Sequence, residues 1–93
     1  MNATPSFYII AYDLNKPGQD YDHIEKQISK LLAHSRILRS TWIVKTKRTA
    51  QEIFDLLKPA LDRNDEVFIA QIDLSLSAGL LDSSIAQWIS AQK

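Results

Sequence analysis

Residues 7–12 (FYIIAY) form an unbroken apolar and aromatic run near the start of the chain. The run is short, is rich in residues that favour strands, and is closed by Asp13 and a turn sequence at residues 15–18 (NKPG). A strand with one wet face alternates apolar and polar residues, whereas a continuous run is typical of a strand covered on both faces. The run therefore predicts a central strand with little solvent on either side.

Three later stretches have the spacing or the caps of helices. The first covers residues 22–34, where one apolar stripe contains Ile24, Ile28, Leu31 and Leu32. The second begins with a capping box at residues 49–52 (TAQE), and Pro59 distorts its last turn. The third is a short final helix capped by Asp82 or Ser83.

Two further stretches are typical of strands. Residues 36–46 alternate, so that Trp42 and Val44 share one face with the core while Ile43 and Lys45 share the other. This stretch forms either one bent strand or two short strands joined near residues 39–41. Residues 67–72 (VFIAQI) form the last strand.

The order β-α-β(β)-α-β-α indicates a small α/β (α+β) sandwich in which helices pack on one sheet. A single strand at residues 36–46 gives a three-stranded parallel sheet, whereas two strands give the antiparallel ferredoxin-like βαββαβ pattern with a C-terminal helix. Three strands and two helices bury little surface. We therefore predict the ferredoxin-like arrangement, as a single domain over residues 1–93.

Two helices on one side leave the other face of this sheet bare. The residues expected on the bare face are Ile37, Thr41, Ile43, Val67 and Ile69. An apolar patch of this kind indicates a contact surface. Because twofold homodimers are the commonest oligomers, we predict a homodimer packed sheet to sheet.

Composition excludes several classes of protein. Eleven Lys and Arg balance eleven Asp and Glu, and this zero net charge excludes nucleic-acid binding by bulk charge but not by a local basic patch. The lack of cysteine excludes disulfides, thiolate zinc sites and iron–sulfur clusters. No apolar run approaches the ~20 residues of a membrane helix, and residues 1–6 lack a signal-peptide pattern. We expect a cytoplasmic protein without a membrane partner.

Asp13 is the strongest candidate for chemistry. It ends an apolar strand, where a partly desolvated carboxylate suits a hard cation such as magnesium. One carboxylate is a poor metal site, but two copies brought together across a dimer axis form a credible one. The alternative is that Asp13 only caps the turn that follows it.

A basic stretch over residues 36–48 is the second candidate site. It contains five cationic side chains and no acid: Arg36, Arg39, Lys45, Lys47 and Arg48. Basic groups beside an aromatic residue suit a phosphate backbone or unstacked bases. The alternative is a solvated turn at the end of this stretch, with Trp42 in the core.

Three segments resemble one known family. Residues 7–14 (FYIIAYDL) resemble the opening strand and Tyr-Asp signature of the CRISPR-associated Cas-two-like endoribonucleases. Residues 39–42 (RSTW) are similar to that family's second motif, and residues 65–72 resemble its later strand, in which an acidic turn precedes an apolar run. The virulence-associated protein D toxins share the same plan. The resemblance covers most of residues 7–72.

The resemblance implies a ferredoxin-like homodimer in which Asp13 of both subunits holds Mg²⁺ or Mn²⁺ for cleavage of phosphodiester bonds. Tyr12 would flank this carboxylate, and Ser40 matches the Ser-x-aromatic motif near the cleft. Arg36 or Arg39 matches the basic position before that motif. Together with the basic stretch, the resemblance predicts nucleic-acid contacts at Tyr12, Lys16, Arg36, Arg39, Ser40, Lys45, Lys47 and Arg48.

Three functions are therefore compatible with the sequence. The first is a Cas-two-like homodimer that acts as a metal-dependent endonuclease or endoribonuclease on RNA or DNA. The second is a non-catalytic dimer that binds nucleic acid or protein, in which Asp13 is structural. The third is a small-molecule sensor domain, because a fold of this kind does not fix the function.

Overall fold

The computed structural model describes residues 4–14 and 21–92, and within them one four-stranded antiparallel sheet is formed by β1 (Ser6–Asp13), β2 (Ala33–Leu38), β3 (Thr41–Thr46) and β4 (Glu66–Ile72). The α-helices of these residues are α1 (Tyr21–Ile28), α2 (Ala50–Leu57) and α3 (Ser83–Gln92). The chain is therefore a small α+β protein whose described part is compatible with a ferredoxin-like fold. None of these helices is long and apolar enough to cross a membrane.

The strands lie in the order β2-β3-β1-β4, and each neighbouring pair is antiparallel. Residues 36–46 thus contribute to two strands, as the ferredoxin-like alternative requires. Strand β2 begins at Ala33, earlier than predicted, and α1 ends at Ile28 rather than near His34. Backbone bonds from Lys30 to Gln27 and from Leu31 to Ile28 span three residues, so the helix tightens into a turn before the strand begins.

The core lies between α1, α2 and the sheet face that they cover, which we call the core face. Its fully buried residues come from all of these elements: Ile10 and Val44 from the strands, Ile24 and Ile28 from α1, and Ile53 and Leu57 from α2. Trp42 is buried in the same cluster, which confirms its predicted core position. Burial of apolar surface on this face supplies the main stabilisation of the fold.

The predicted signals at the ends of α2 and at the start of α3 are confirmed. The Thr49 hydroxyl accepts a hydrogen bond from the Glu52 amide at 3.1 Å, and the Glu52 carboxylate accepts one from the Thr49 amide at 2.9 Å. After Leu57, a 3₁₀ turn over Lys58–Ala60 accommodates Pro59. The Asp82 carboxylate accepts a hydrogen bond from the amide of Ser84, in the first turn of α3, at 3.1 Å.

The opposite sheet face, which we call the outer face, differs from the prediction in two ways. Val67 and Ile69 were expected there, but they pack against the core cluster. Their neighbours Phe68, Ala70 and Ile72 point outward instead, because the antiparallel register sets Phe68 opposite Ala11 and Ile72 opposite Phe7. A slip of one residue in a strand exchanges its two faces, and β4 is apolar on both, so its sequence gives no alternation to follow.

The second difference is that α3 lies over part of the outer face. Side chains of α3 and of residues 73–81 line a cavity whose floor is the outer face of the sheet. This helix covers the part of the face near Ile37 and Ile43. The part near Phe68 stays exposed.

Candidate functional site

Two carboxylates lie opposite each other where β1 ends and β4 begins. Asp13 is the last residue of β1, Glu66 is the first residue of β4, and the two are partners in the antiparallel register. Both alternate with core residues (Tyr12 and Val67), so both lie on the outer face, and both are exposed. Directly opposed residues have Cβ atoms about 5 Å apart, which brings the two negative charges close together.

This carboxylate pair borders an open groove of about 500 Å³. The other lining residues are Ala11, Tyr12, Ser40, Thr41, Val67 and Phe68. The turn between β2 and β3 is fixed against the end of β1, because the Tyr12 amide donates a hydrogen bond to the Ser40 carbonyl at 3.1 Å. The groove therefore combines two carboxylates with the hydroxyl-bearing residues Ser40 and Thr41, on backbone that is held by the sheet.

Tyr12 borders the groove, but its side chain packs in the core. Its ring is buried, and its hydroxyl accepts a hydrogen bond from Nε1 of Trp42 at 3.2 Å. Burial raises the pKa of the Tyr12 hydroxyl, and the hydrogen bond from Trp42 acts in the opposite direction. Tyr12 is thus next to Asp13 in the chain, but its ring is directed to the opposite face of the sheet.

Two of the predicted basic residues lie near the edge of the sheet at β2. The guanidinium of Arg36 forms an ion pair with the Glu25 carboxylate of α1 at 2.7 Å, so its charge is partly balanced. Arg39 is exposed in the turn that joins β2 to β3. This turn is at the same end of the sheet as Asp13. Arg39 is therefore the basic residue of the stretch that shares an end of the sheet with the groove.

The remaining basic residues of the stretch lie elsewhere. Lys45 is on the outer face, where its Nζ is 5.6 Å from the centroid of the Phe7 ring. Lys47 and Arg48 are exposed after the end of β3, at the end of the sheet opposite the groove. The six residues of β3 separate the two ends by about 20 Å. The structure therefore distributes the predicted basic surface over several places, and Lys16 falls outside the described residues.

The groove offers oxygen ligands of the kind that Mg²⁺ and Mn²⁺ prefer. Among the described residues, however, no group of three or more His, Asp or Glu side chains is placed to hold a metal ion. Asp13 and Glu66 supply two carboxylates per chain. A second chain that brought its own pair to the same place would double that number, so the ligand type fits a divalent cation while the ligand count requires a partner.

Glu66 is the site residue that the sequence-based prediction missed. The acidic residues before the last strand were visible in the sequence, yet nothing in their spacing placed Glu66 opposite Asp13. That position follows from the pairing of β1 with β4, which joins residues more than fifty positions apart in the chain.

No family model, curated protein or solved structure matches this chain.

Proposed function

We propose that the chain forms a ferredoxin-like, Cas-two-like homodimer that binds nucleic acid and cleaves its phosphodiester bonds as a metal-dependent endonuclease or endoribonuclease. The observation that carries this proposal is the exposed Asp13–Glu66 pair at the end of the sheet, beside the exposed side chain of Phe68. Mg²⁺ or Mn²⁺ is the cofactor, and RNA or DNA is the substrate.

The homodimer is supported by the position of Phe68. This side chain is 67% exposed and lies on the outer face, two residues along β4 from Glu66. With Ala11, Ala70 and Ile72 it forms a continuous apolar surface on that face, which is typical of a contact surface. In a twofold interface that covers Phe68 of both subunits, the two Asp13–Glu66 pairs approach the symmetry axis.

The mechanism follows from the chemistry of the groove. Asp13 and Glu66 would hold the cation together with the same residues of the second subunit. Such a cation would supply polarisation of a phosphate oxygen and a water of lowered pKa, so no histidine base would be needed. Ser40, Thr41 and Arg39 at the same end of the sheet supply donors that orient the phosphate, since hydroxyl and guanidinium groups are common phosphate ligands.

A non-catalytic dimer that binds nucleic acid or protein is the second candidate. It is favoured by the distribution of the basic residues, because few of them lie where they could hold a phosphate against the carboxylates. Arg36 is paired with Glu25, and Lys47 is at the far end of the sheet from the groove. In this case Asp13 has a structural role only.

Asp13→Asn separates these two functions. We expect the purified chain to cleave labelled RNA or DNA with Mg²⁺ or Mn²⁺ and not with a chelator. Cleavage should fall by more than about 100-fold in Asp13→Asn, because loss of a metal ligand costs at least as much as loss of a residue that orients one. Sedimentation should show that the variant is still a dimer.

Asp55→Asn is the matched control, since Asp55 is an exposed carboxylate on α2 and lies away from the groove. It should cleave at the wild-type rate. Equal cleavage by wild type and Asp13→Asn would identify a contaminating nuclease and reject the catalytic proposal. Salt-dependent binding of nucleic acid without any cleavage would assign the second candidate instead.

A further inference from the structure

Helix α3 packs loosely on the outer face: Ile43 of the sheet is buried, but the helix itself has no fully buried residue among those that the structure describes. Three of its residues are partly buried: Ile85, Trp88 and Ile89. Between α3 and the outer face is a cavity of about 680 Å³. This space is an open cleft rather than an enclosed void, because most of its wall residues, among them Leu76 and Gly79, are exposed.

The floor of the cavity is made by one isoleucine from each strand: Ile9, Ile37, Ile43 and Ile72. Its walls come from α3 and from the segment that joins β4 to α3: Asp73, Leu76, Ser77, Ala78, Gly79, Leu81, Ala86, Ile89 and Ser90. The lining is thus mainly aliphatic. Cavities of about 300–1,000 Å³ with apolar walls and few polar groups are typical of small-molecule sites.

Asp73 is the one charged residue among the described residues that line this cavity. Its Oδ1 accepts hydrogen bonds from the amide of Ser75 at 2.9 Å and from the Ser75 hydroxyl at 2.6 Å. These bonds lower the pKa of the Asp73 carboxyl, so the group is ionised at neutral pH. Both bonds reach Oδ1, so the carboxylate is fixed at the start of the 3₁₀ turn Leu74–Leu76.

We propose that this cavity binds a small aliphatic molecule with a cationic ammonium group, whose apolar part lies on the four isoleucines and whose charge is next to Asp73. The aliphatic lining selects an apolar body, and the single negative charge at the rim selects a cation over a carboxylate or a phosphate. The site is separate from the groove at Asp13, and it does not depend on the function proposed there. It assigns a ligand class to the sensor hypothesis.

The test uses three probes of equal chain length: n-octylammonium, n-octanol and octanoate. Each is added to the full chain labelled at the isoleucine methyl groups and followed by NMR. We expect n-octylammonium to shift the methyl signals of Ile9, Ile37, Ile43 and Ile72, and to bind more tightly than octanol, with octanoate weakest. The methyl signals of Ile24, Ile28 and Ile53, which are buried on the core face, are the internal reference and should not move.

Two substitutions sharpen the test. Asp73→Asn keeps an oxygen for Ser75 but removes the charge of this exposed carboxylate, so it should weaken the ammonium probe by up to about fivefold, the largest effect of one exposed ion pair, and leave octanol unchanged. Asp82→Asn is the matched control. Asp82 accepts the same two hydrogen bonds from Ser84, yet it is not part of the cavity lining.

A third variant is designed to fill the cavity. Ile89→Trp places a larger side chain of α3 into the space, and it should abolish the shifts caused by all three probes. The proposal is overturned if the four floor signals do not move with the ammonium probe, or if octanoate binds as tightly. Equal weakening by Asp82→Asn and Asp73→Asn also rejects it. So does movement of the floor signals on dilution of the Phe68→Ser variant, which lacks the proposed dimer contact, because a second copy of the chain would then occupy the cavity.

Discussion

The two faces of the sheet are covered to different extents by packed side chains. On the core face, α1 and α2 pack so closely that Ile10, Ile28 and Leu57 have no exposed surface. On the outer face, α3 leaves a cavity of about 680 Å³, and Phe68 is 67% exposed. Residues of the same chain cover the core face completely, whereas the outer face has an open cleft and an exposed aromatic side chain. Stability therefore depends on the first face, and recognition is expected on the second.

Ile9 and Ile10 test this difference most directly, because they are consecutive isoleucines that point to opposite faces of β1. Ile10 is fully buried in the core, and Ile9 lines the cavity. We expect Ile10→Ala to lower the free energy of unfolding by about 3–4 kcal/mol, within the usual range for a packed core position. Ile9→Ala should cost about 1 kcal/mol, since fewer packed atoms surround it.

Chemical denaturation of both variants measures these values. If Ile10→Ala is too unstable to study, Ile10→Val and Ile9→Val provide the same comparison, with an expected cost of about 1 kcal/mol for the first. Equal losses at the two positions would mean that the outer face is packed as tightly as the core face, and the cavity would then lose its physical basis.

The second comparison concerns two exposed apolar side chains. Phe68 on the outer face and Leu32 before β2 are each 67% exposed. If Phe68 is at the centre of a dimer interface, Phe68→Ser should weaken association by about 30-fold or more, the effect of removing an aromatic hot spot. Leu32→Ser should leave association unchanged. Sedimentation equilibrium over a range of concentrations measures both.

The stability of the monomer provides a check on this result. Because both side chains are mostly exposed, neither substitution should change unfolding at low protein concentration by more than about 0.5 kcal/mol. Equal dimerisation of wild type and Phe68→Ser would remove the interface from this part of the outer face. The proposed pairing of Asp13 across a twofold axis would then have no support.

The sequence was sufficient for features that depend on local spacing. The central strand before Asp13, the Thr49 capping box and the distortion at Pro59 are each determined by residues within one turn or one strand, and the structure confirms all three. The expected cover on both faces of that strand is confirmed only on the core face, since Ile9 and Ala11 on the outer face are half-buried. The core position of Trp42 also follows from simple alternation along β3.

Features that depend on distant pairing were not predictable in the same way. The face to which Val67 points is decided by its register against Tyr12, and β4 carries apolar residues on both sides. The same pairing places Glu66 opposite Asp13. The position of α3 was not predictable for a similar reason. Its apolar stripe of Ile85 and Ile89 indicates that the helix packs on an apolar surface, but it does not indicate which face of the sheet supplies that surface.

The smallest expected effect concerns the two opposed carboxylates at Asp13 and Glu66. Like charges directly opposite in a sheet repel each other, and a cross-strand pair contributes about 0.2–1 kcal/mol. Without divalent cations, Asp13→Asn should therefore raise the free energy of unfolding by a few tenths of a kcal/mol, and Glu66→Gln should do the same. The double variant should gain little beyond either single one, because removing one charge already ends the repulsion. With Mn²⁺ the order of stability reverses. A ligand that binds the folded state stabilises it, so wild type should gain stability from Mn²⁺ and the variants should gain less. The unfolding temperature, measured with Mn²⁺ and with a chelator, gives both differences between wild type and variants. If the unfolding temperature of the wild type is the same in both conditions, these carboxylates are not a cation site.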